Sequence, residues 1–356
     1  MSTGVNAHTH LYSGLMPFGL PPPADKPATL LDTLRGFWWR LDRALDAPML
    51  RAAARFYAAE ALLHGTHTLV DHHESPSLIE GSLDIIADAC QDLGVRAVVC
   101  YGATERNDGT LEAERGLAEC QRFIRDNRRP LVRGVVGLHA SFTVSDQTIR
   151  EAGELCREMN SVLHLHVAED VCDVEDARSR GYEGVVDRLH RLGALQAGSI
   201  LAHGVHLTRE EVVAVAAFGC WLVHNPRSND HNGVGYARAL RASPLVALGT
   251  DGFPSDMLAE ADAAACLAER AGDPPHFVAG RLEAGGRLAA ERFGWGDERI
   301  EVARRPGSAR VERLVIEGRV VVEDRRLVTG DWETIHAEAA EQAQRLAAAM
   351  ALVPES

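Results

Sequence analysis

The sequence predicts an α/β protein built on a TIM-like (β/α)₈ barrel. Three observations lead there. Eight short apolar runs alternate with amphipathic stretches, the pattern of parallel βαβ units. The chain has 356 residues, and a barrel needs roughly 250, which leaves room for a small appendage. A GxGxxG fingerprint is absent, which weakens the open doubly wound alternative.

The eight runs are Val5–Ala7, Thr68–Asp71, Ala97–Tyr101, Val132–Leu138, Ser161–Val167, Ile200–His203, Trp221–His224 and Leu245–Gly249. Between them, Ser82–Leu93, Leu111–Asn127, Asp146–Met159, Gly184–Leu192 and Arg209–Phe218 carry helical periodicity. After Gly296 the texture changes. Arg310–Val322 and Arg326–Val328 read as a β-ribbon, and Glu333–Ala351, rich in Ala, Glu and Gln, reads as a closing helix. The expected division is a barrel over 1–298 and a ribbon with its helix over 299–356.

Charge narrows the function. Asp and Glu number 51 against 37 Lys and Arg, a formal net charge of −14. Nucleic acid and anionic membrane surfaces are bound by clustered positive charge, so neither is an expected partner. No 18-residue apolar run and no basic-then-apolar start occur. Seven cysteines without a CxxC pair read as reduced thiols, and the expected location is cytoplasmic. Lys26 is the only lysine, which removes the GxxxxGK phosphate loop and makes lysine-based covalent chemistry unattractive. Histidine, at 16 residues, is where chemistry is to be sought.

The histidines gather where apolar runs stop. The first run ends in Asn6-Ala-His8-Thr-His10, and residues two apart on a strand share a face, so His8 and His10 are placed to chelate one ion. The fifth carries His164-Leu-His166-Val-Ala-Glu169, with His166 nearer the strand's carboxyl end, where barrel active sites are built. Glu169 stands in the following loop, able to lean back. The sixth ends at His203, the seventh at His224-Asn225-Pro226, and the eighth in Thr250-Asp251-Gly252. His139 ends the fourth run, and Asp71-His72-His73 ends the second.

HxH on the first strand, HxxE on the fifth, His on the sixth and TDG on the eighth resemble the amidohydrolase superfamily over roughly residues 4 to 295. NAHTHLYS, HVAED, LAHG, HNPRSN and GTDG resemble its deaminase and triazine chlorohydrolase branch. FWWRLDRALD, VDHHESPSLIEGSLD, GLHASFTVSD and NGVGYA are similar to the SsnA-type aminohydrolases. The resemblance implies that His8, His10, His166 and Asp251 hold a single divalent metal, zinc first and iron(II) as the alternative. It also implies that His203 orients the water or binds the metal, and that Glu169 shuttles protons. A second metal bridged by a carboxylated lysine is excluded, because the fourth strand ends in His139. Two departures stand out. Family members assemble a β-sandwich from segments on both sides of the barrel. Here Met1 stands seven residues before His8, so a vestigial sandwich is expected, by natural loss or a truncated gene model. His67 replaces the family's usual threonine.

The implied chemistry is hydrolytic deamination of an amino-substituted, purine-like N-heterocycle by metal-activated water. Asp251 takes a proton from that water, and Glu169 protonates the ring nitrogen and the departing amine. Cyclic amide hydrolysis or halide displacement from a heterocycle is the alternative, and a catalytically inactive metal-binding barrel is the reading of another class. Trp38 and Trp39 offer faces for a flat ring. His73, His139, Asn225 and Asp256 are further candidates for substrate contact, and Arg227 or Arg40 could offset the negative rim. The partner expected is a small heterocyclic substrate, and the sequence leaves a homodimer open.

Overall fold

The computed structural model describes residues 4–23, 26–274 and 276–354. Ten parallel strand segments form the barrel wall: β1 (Val5–Thr9), β2 (Thr68–Asp71), β3 (Arg96–Val99), β4 (Gly102–Ala103), β5 (Val132–Gly134), β6 (Val136–Ala140), β7 (Leu163–Val167), β8 (Ile200–His203), β9 (Trp221–His224) and β10 (Val246–Leu248). They pair in the orders β1-β2-β3-β5 and β10-β9-β8-β7-β6-β4. β3 with β4, and β5 with β6, are two halves of single arms, so the two sheets share those arms and the described residues make eight. The third and fourth predicted runs are therefore real but broken. Gly137 lets the offset halves approach, since a Cβ there would lie 2.3 Å from the Tyr101 carbonyl oxygen.

The first arm is tied to the end of the eighth. The amides of Thr250 and Asp251 donate to the His8 carbonyl at 3.0 and 3.1 Å, and the His10 amide donates to the Asp251 carbonyl at 3.3 Å. Leu69, Val98, Leu165, Leu201 and Leu222 of the wall are fully buried.

Helices cover the outside for reasons visible in their sequences. In Ser82–Leu93 the buried positions include Leu83, Ile86, Ala87, Cys90 and Leu93, a stripe at three- and four-residue spacing. Helix Ala47–Leu63 starts at Asp46, whose side chain accepts from the Met49 amide, with a proline in its first turn. No helix among the described residues is long and apolar enough to cross a membrane.

The carboxyl-terminal part is larger than the predicted ribbon. β11 (Ile300–Ala303), β12 (Arg313–Ile316), β13 (Arg319–Glu323) and β14 (Arg326–Leu327) form a four-stranded antiparallel sheet in sequence order. β11 is partly or fully exposed along its length, so it lacks the apolar run by which the others were recognised. Two-residue turns join β12 to β13 and β13 to β14. Glu317 and Gly318, then Asp324 and Arg325, all have positive φ, as turns matching the strand twist require. Val311, Leu314, Ile316 and Val322 share one core with helix Ala47–Leu63 and with Ile335, Ala339 and Leu346 of the closing helix Trp332–Met350.

Candidate active site

Five side chains converge at the carboxyl ends of β1, β7, β8 and β10. Single donor atoms of His8, His166, His203 and Asp251 lie within 4.8 Å of one another. His10 Nε2 stands 3.3 Å from His166 Nε2 and 2.8 Å from Asp251 Oδ1. The strand register explains the meeting. His8 and His10 alternate with Thr9 on one face of β1, and His166 pairs with Ala202 one residue before His203.

Each imidazole has its Nδ1 engaged elsewhere. His10 Nδ1 bonds the His72 carbonyl at 2.6 Å and His166 Nδ1 the His139 carbonyl at 2.7 Å. His203 Nδ1 bonds Asn229 Oδ1 at 3.0 Å, and His8 Nδ1 bonds His164 Nε2 at 2.9 Å. A carbonyl or amide oxygen accepts a proton, so the neutral tautomers of His10, His166 and His203 leave Nε2 as a lone pair. His164 does the same for His8 when its own proton sits on Nδ1, toward Cys100 Sγ at 3.6 Å. The Nε2 atoms of His8 and His203 are buried and have no hydrogen-bond partner among the described residues. All-nitrogen-and-oxygen ligation with unpaired, inward-facing Nε2 atoms fits a divalent zinc or iron ion.

Electrostatics agree with a place for positive charge. Burial pushes the His8 imidazole down to about 3, despite Asp251, so it stays neutral. Burial also works against His10, but the Asp251 carboxylate beside it outweighs this and lifts it to about 9. Burial raises Asp251 too, yet the adjacent His10 and His8 imidazoles outweigh it, and its carboxyl sits well below the ordinary range. Ser228 Oγ donates to Asp251 Oδ2 at 2.5 Å, leaving Oδ1 toward the imidazoles. His203 and Asp251 have φ of 74° and 54°, a left-handed backbone that costs a non-glycine residue free energy and aims both side chains inward.

Glu169 reaches the same centre. Its Oε2 lies 3.5 Å from His203 Nε2, and Asn232 Nδ2 donates to Oε1 at 3.4 Å. Burial raises its carboxyl above the usual value, which favours holding a proton. Asp251, Ser228 and Asn232 open onto a cavity of about 790 Å³, walled by Met16, Phe37, Trp38, Phe56 and Phe253. Trp38 lies against Gly252, where a Cβ would meet its ring at 2.4 Å.

The remaining candidates are placed differently. His139 is buried on β6, its Nδ1 bonded to Thr143 Oγ1 at 2.9 Å. Trp39 sits 6.4 Å from His139, with the Arg106 guanidinium over its ring at 4.8 Å. His73 is fully buried, and its Nε2 is bonded to Ser75 Oγ at 2.7 Å. Asn225 is not a rim residue: it is fully buried, with both side-chain polar atoms unpaired among the described residues. Asp256 uses Oδ1 to cap helix Met257–Ala271, accepting from the amides of Leu258 and Ala259. Arg227 is bound to Glu260 and the Pro254 carbonyl, and Arg40 to the carbonyls of Met350 and Val353, so neither cation is offered to the rim. Ser228, Asn229 and Asn232 were missed, although the helix Pro226–His231 follows directly from the HNPRSN motif.

A sequence model of the amidohydrolase family matches residues 1–280. The curated relatives include a 5-methylthioadenosine/S-adenosylhomocysteine deaminase of Thermococcus sibiricus, 29% identical over 74% of this chain and 61% of its own. A 5'-deoxyadenosine deaminase of Methanopyrus kandleri is 30% identical over 74% of this chain and 60% of its own. The chain thus spans about three fifths of the length of these relatives. In fold, the chain is similar to a zinc-bound adenosine deaminase from Xanthomonas campestris, with TM-score 0.81 at 24% identity, covering 96% of this chain and 85% of that one. It is also similar to a zinc complex of atrazine chlorohydrolase from Arthrobacter aurescens, with TM-score 0.75 at 23% identity, covering 96% and 87%.

Proposed function

The chain belongs to the amidohydrolase family, and from that premise we propose that it is a metal-dependent C–N hydrolase that deaminates an amino-substituted N-heterocycle. His8, His10, His166 and Asp251 would hold one divalent ion, zinc before iron(II), with His203 beside it. The ion, when bound, supplies a water acidic enough to attack near neutral pH.

The chain's own residues divide the proton work. Asp251 Oδ1 accepts a proton from the water while Ser228 holds Oδ2 in place. Glu169, buried and biased toward its protonated form, gives a proton to the ring nitrogen next to the attacked carbon. Asp251 then passes the proton it took from the water to the departing amine, which would otherwise be too basic to leave, and the proton left on the added hydroxyl returns to Glu169 as the C–N bond breaks and the ring carbonyl forms. His203, oriented by Asn229, hydrogen-bonds the attacking oxygen. The apolar wall of the cavity excludes water and takes a flat ring against Trp38.

The observation that carries the reading is the placement of Glu169 3.5 Å from His203 at the mouth of the histidine cluster. Chloride leaves without a proton, so a positioned acid supports an amine leaving group. The test is ammonia release by zinc-loaded protein across a purine, pyrimidine and pterin library. Turnover of halogenated analogues alone, with Glu169→Gln fully active on them, would replace this reading with a chlorohydrolase.

A further inference from the structure

Beside the histidine cluster stands a buried carboxylate that the chemistry above does not use. Glu74 follows β2, is 4% exposed, and places a carboxylate oxygen within 4.8 Å of donor atoms of His139 and His166. A buried carboxylate retained for structure is expected to have close donors. Glu74 does not. Around Oε2 stand the Tyr12 hydroxyl at 3.5 Å, Arg106 Nη2 at 3.8 Å and His139 Nε2 at 3.8 Å. Oε1 lies 3.0 Å from His72 Nδ1, yet neither atom makes an aligned hydrogen bond. Arg106 is committed elsewhere: its Nη2 donates to Asp42 Oδ2 at 2.8 Å.

We propose that Glu74 is a substrate-recognition residue that accepts an N–H from the ring edge remote from the departing amine. The ligand class is an aminoheterocycle carrying a second donor, an exocyclic amine or ring N–H, as in a guanidine-type edge. This rests on the deaminase reading and deepens it. A carboxylate only accepts, so a ring edge presenting bare lone pairs is repelled there, and one presenting N–H is held. A second metal ion is disfavoured at the same place, because the Arg106 guanidinium stands 3.8 Å from Oε2. His139 and His166, whose donor atoms lie within 4.8 Å of the Glu74 carboxylate, line a small cavity of about 40 Å³ together with Glu169.

The test uses zinc-loaded protein and three matched pairs: 2,6-diaminopurine with adenine, 2,4-diaminopyrimidine with 4-aminopyrimidine, and 2,4-diaminopteridine with 4-aminopteridine. Binding is measured by calorimetry and ammonia release separately. Wild type is expected to bind the diamino member tighter in at least one pair, by about tenfold to a hundredfold, the range of a hydrogen bond to a charged group. Glu74→Gln and Glu74→Leu are expected to lose that preference while keeping zinc content and thermal unfolding. Equal affinity within every pair, no binding of any of the six, or a preference that survives in both variants overturns the proposal. So does a second tightly bound zinc equivalent lost in Glu74→Leu. A diamino preference without ammonia from any compound would keep the subsite and sink the deaminase reading instead.

Discussion

His8 Nδ1 and His164 Nε2 are 2.9 Å apart, and that bond decides which nitrogen of His8 is free to face the centre. Replacing His164 by leucine removes the acceptor while leaving all five converging side chains in place. His164→Leu should weaken zinc binding by about 10–100-fold, the usual effect of losing such a supporting partner. His8→Ala should lose most of the metal, and His73→Ala should retain it, since the His73 side chain hydrogen-bonds Ser75 rather than facing the cluster. Competition with a chromogenic chelator measures all three.

Glu169→Gln separates proton delivery from metal binding. It should keep stoichiometric zinc and lose on the order of 10²–10⁴-fold in kcat. Parallel loss of zinc and rate would make Glu169 a ligand or a structural residue.

One tightly bound divalent ion per chain is expected, because donor atoms of His8, His166, His203 and Asp251 lie within 4.8 Å of one another. An ion that binds the native state alone adds about 2.7 kcal/mol at a hundred times its dissociation constant. Chelation should therefore lower the unfolding temperature, and readdition of zinc should restore it. Elemental analysis gives the count.

His67 predicts an acid limit. It lies under the barrel floor, 1% exposed, with Nδ1 3.0 Å from Thr68 Oγ1. Burial, reinforced by the Arg96 guanidinium, pushes it down to about 4 from 6.5. Between those values the unfolded chain binds the proton and the native state does not, so stability is full above pH 6.5 and falls as the pH drops toward 4. The loss attributable to this residue is at most about 3 kcal/mol. In His67→Thr the difference in unfolding free energy between pH 7 and pH 4.5 should shrink by a comparable amount, measured by urea titration at each pH.

Much of this was readable in the chain. Alternation by two put His8 and His10 on one face, and the recurrence of polar residues at run ends placed His166, His203 and Asp251 in one ring. The breaks in the third and fourth arms were not readable, because they are set by registers across strands that no single run encodes. The role of His164 was hidden for a similar reason: it shares a face with His166, and only the neighbouring β1 shows that it supports a histidine rather than joining the cluster. Asp256 carried a legible signal that was misread, since an aspartate just before an apolar-periodic stretch is a helix cap. Glu74 gave no signal at all, because what singles it out is the distance to its donors.

The seam between Asp251 and His8 joins residues nearly the whole barrel apart in sequence. Contacts of that span are the slowest to be found by a folding chain, since the intervening loop must first give up its freedom. This seam is therefore expected to form late in folding. His8 and Asp251 sit on both of its sides, so an ion held between them acts as a clasp on the longest loop. Zinc should slow unfolding far more than it speeds refolding, and stopped-flow measurements with and without chelator would show the asymmetry.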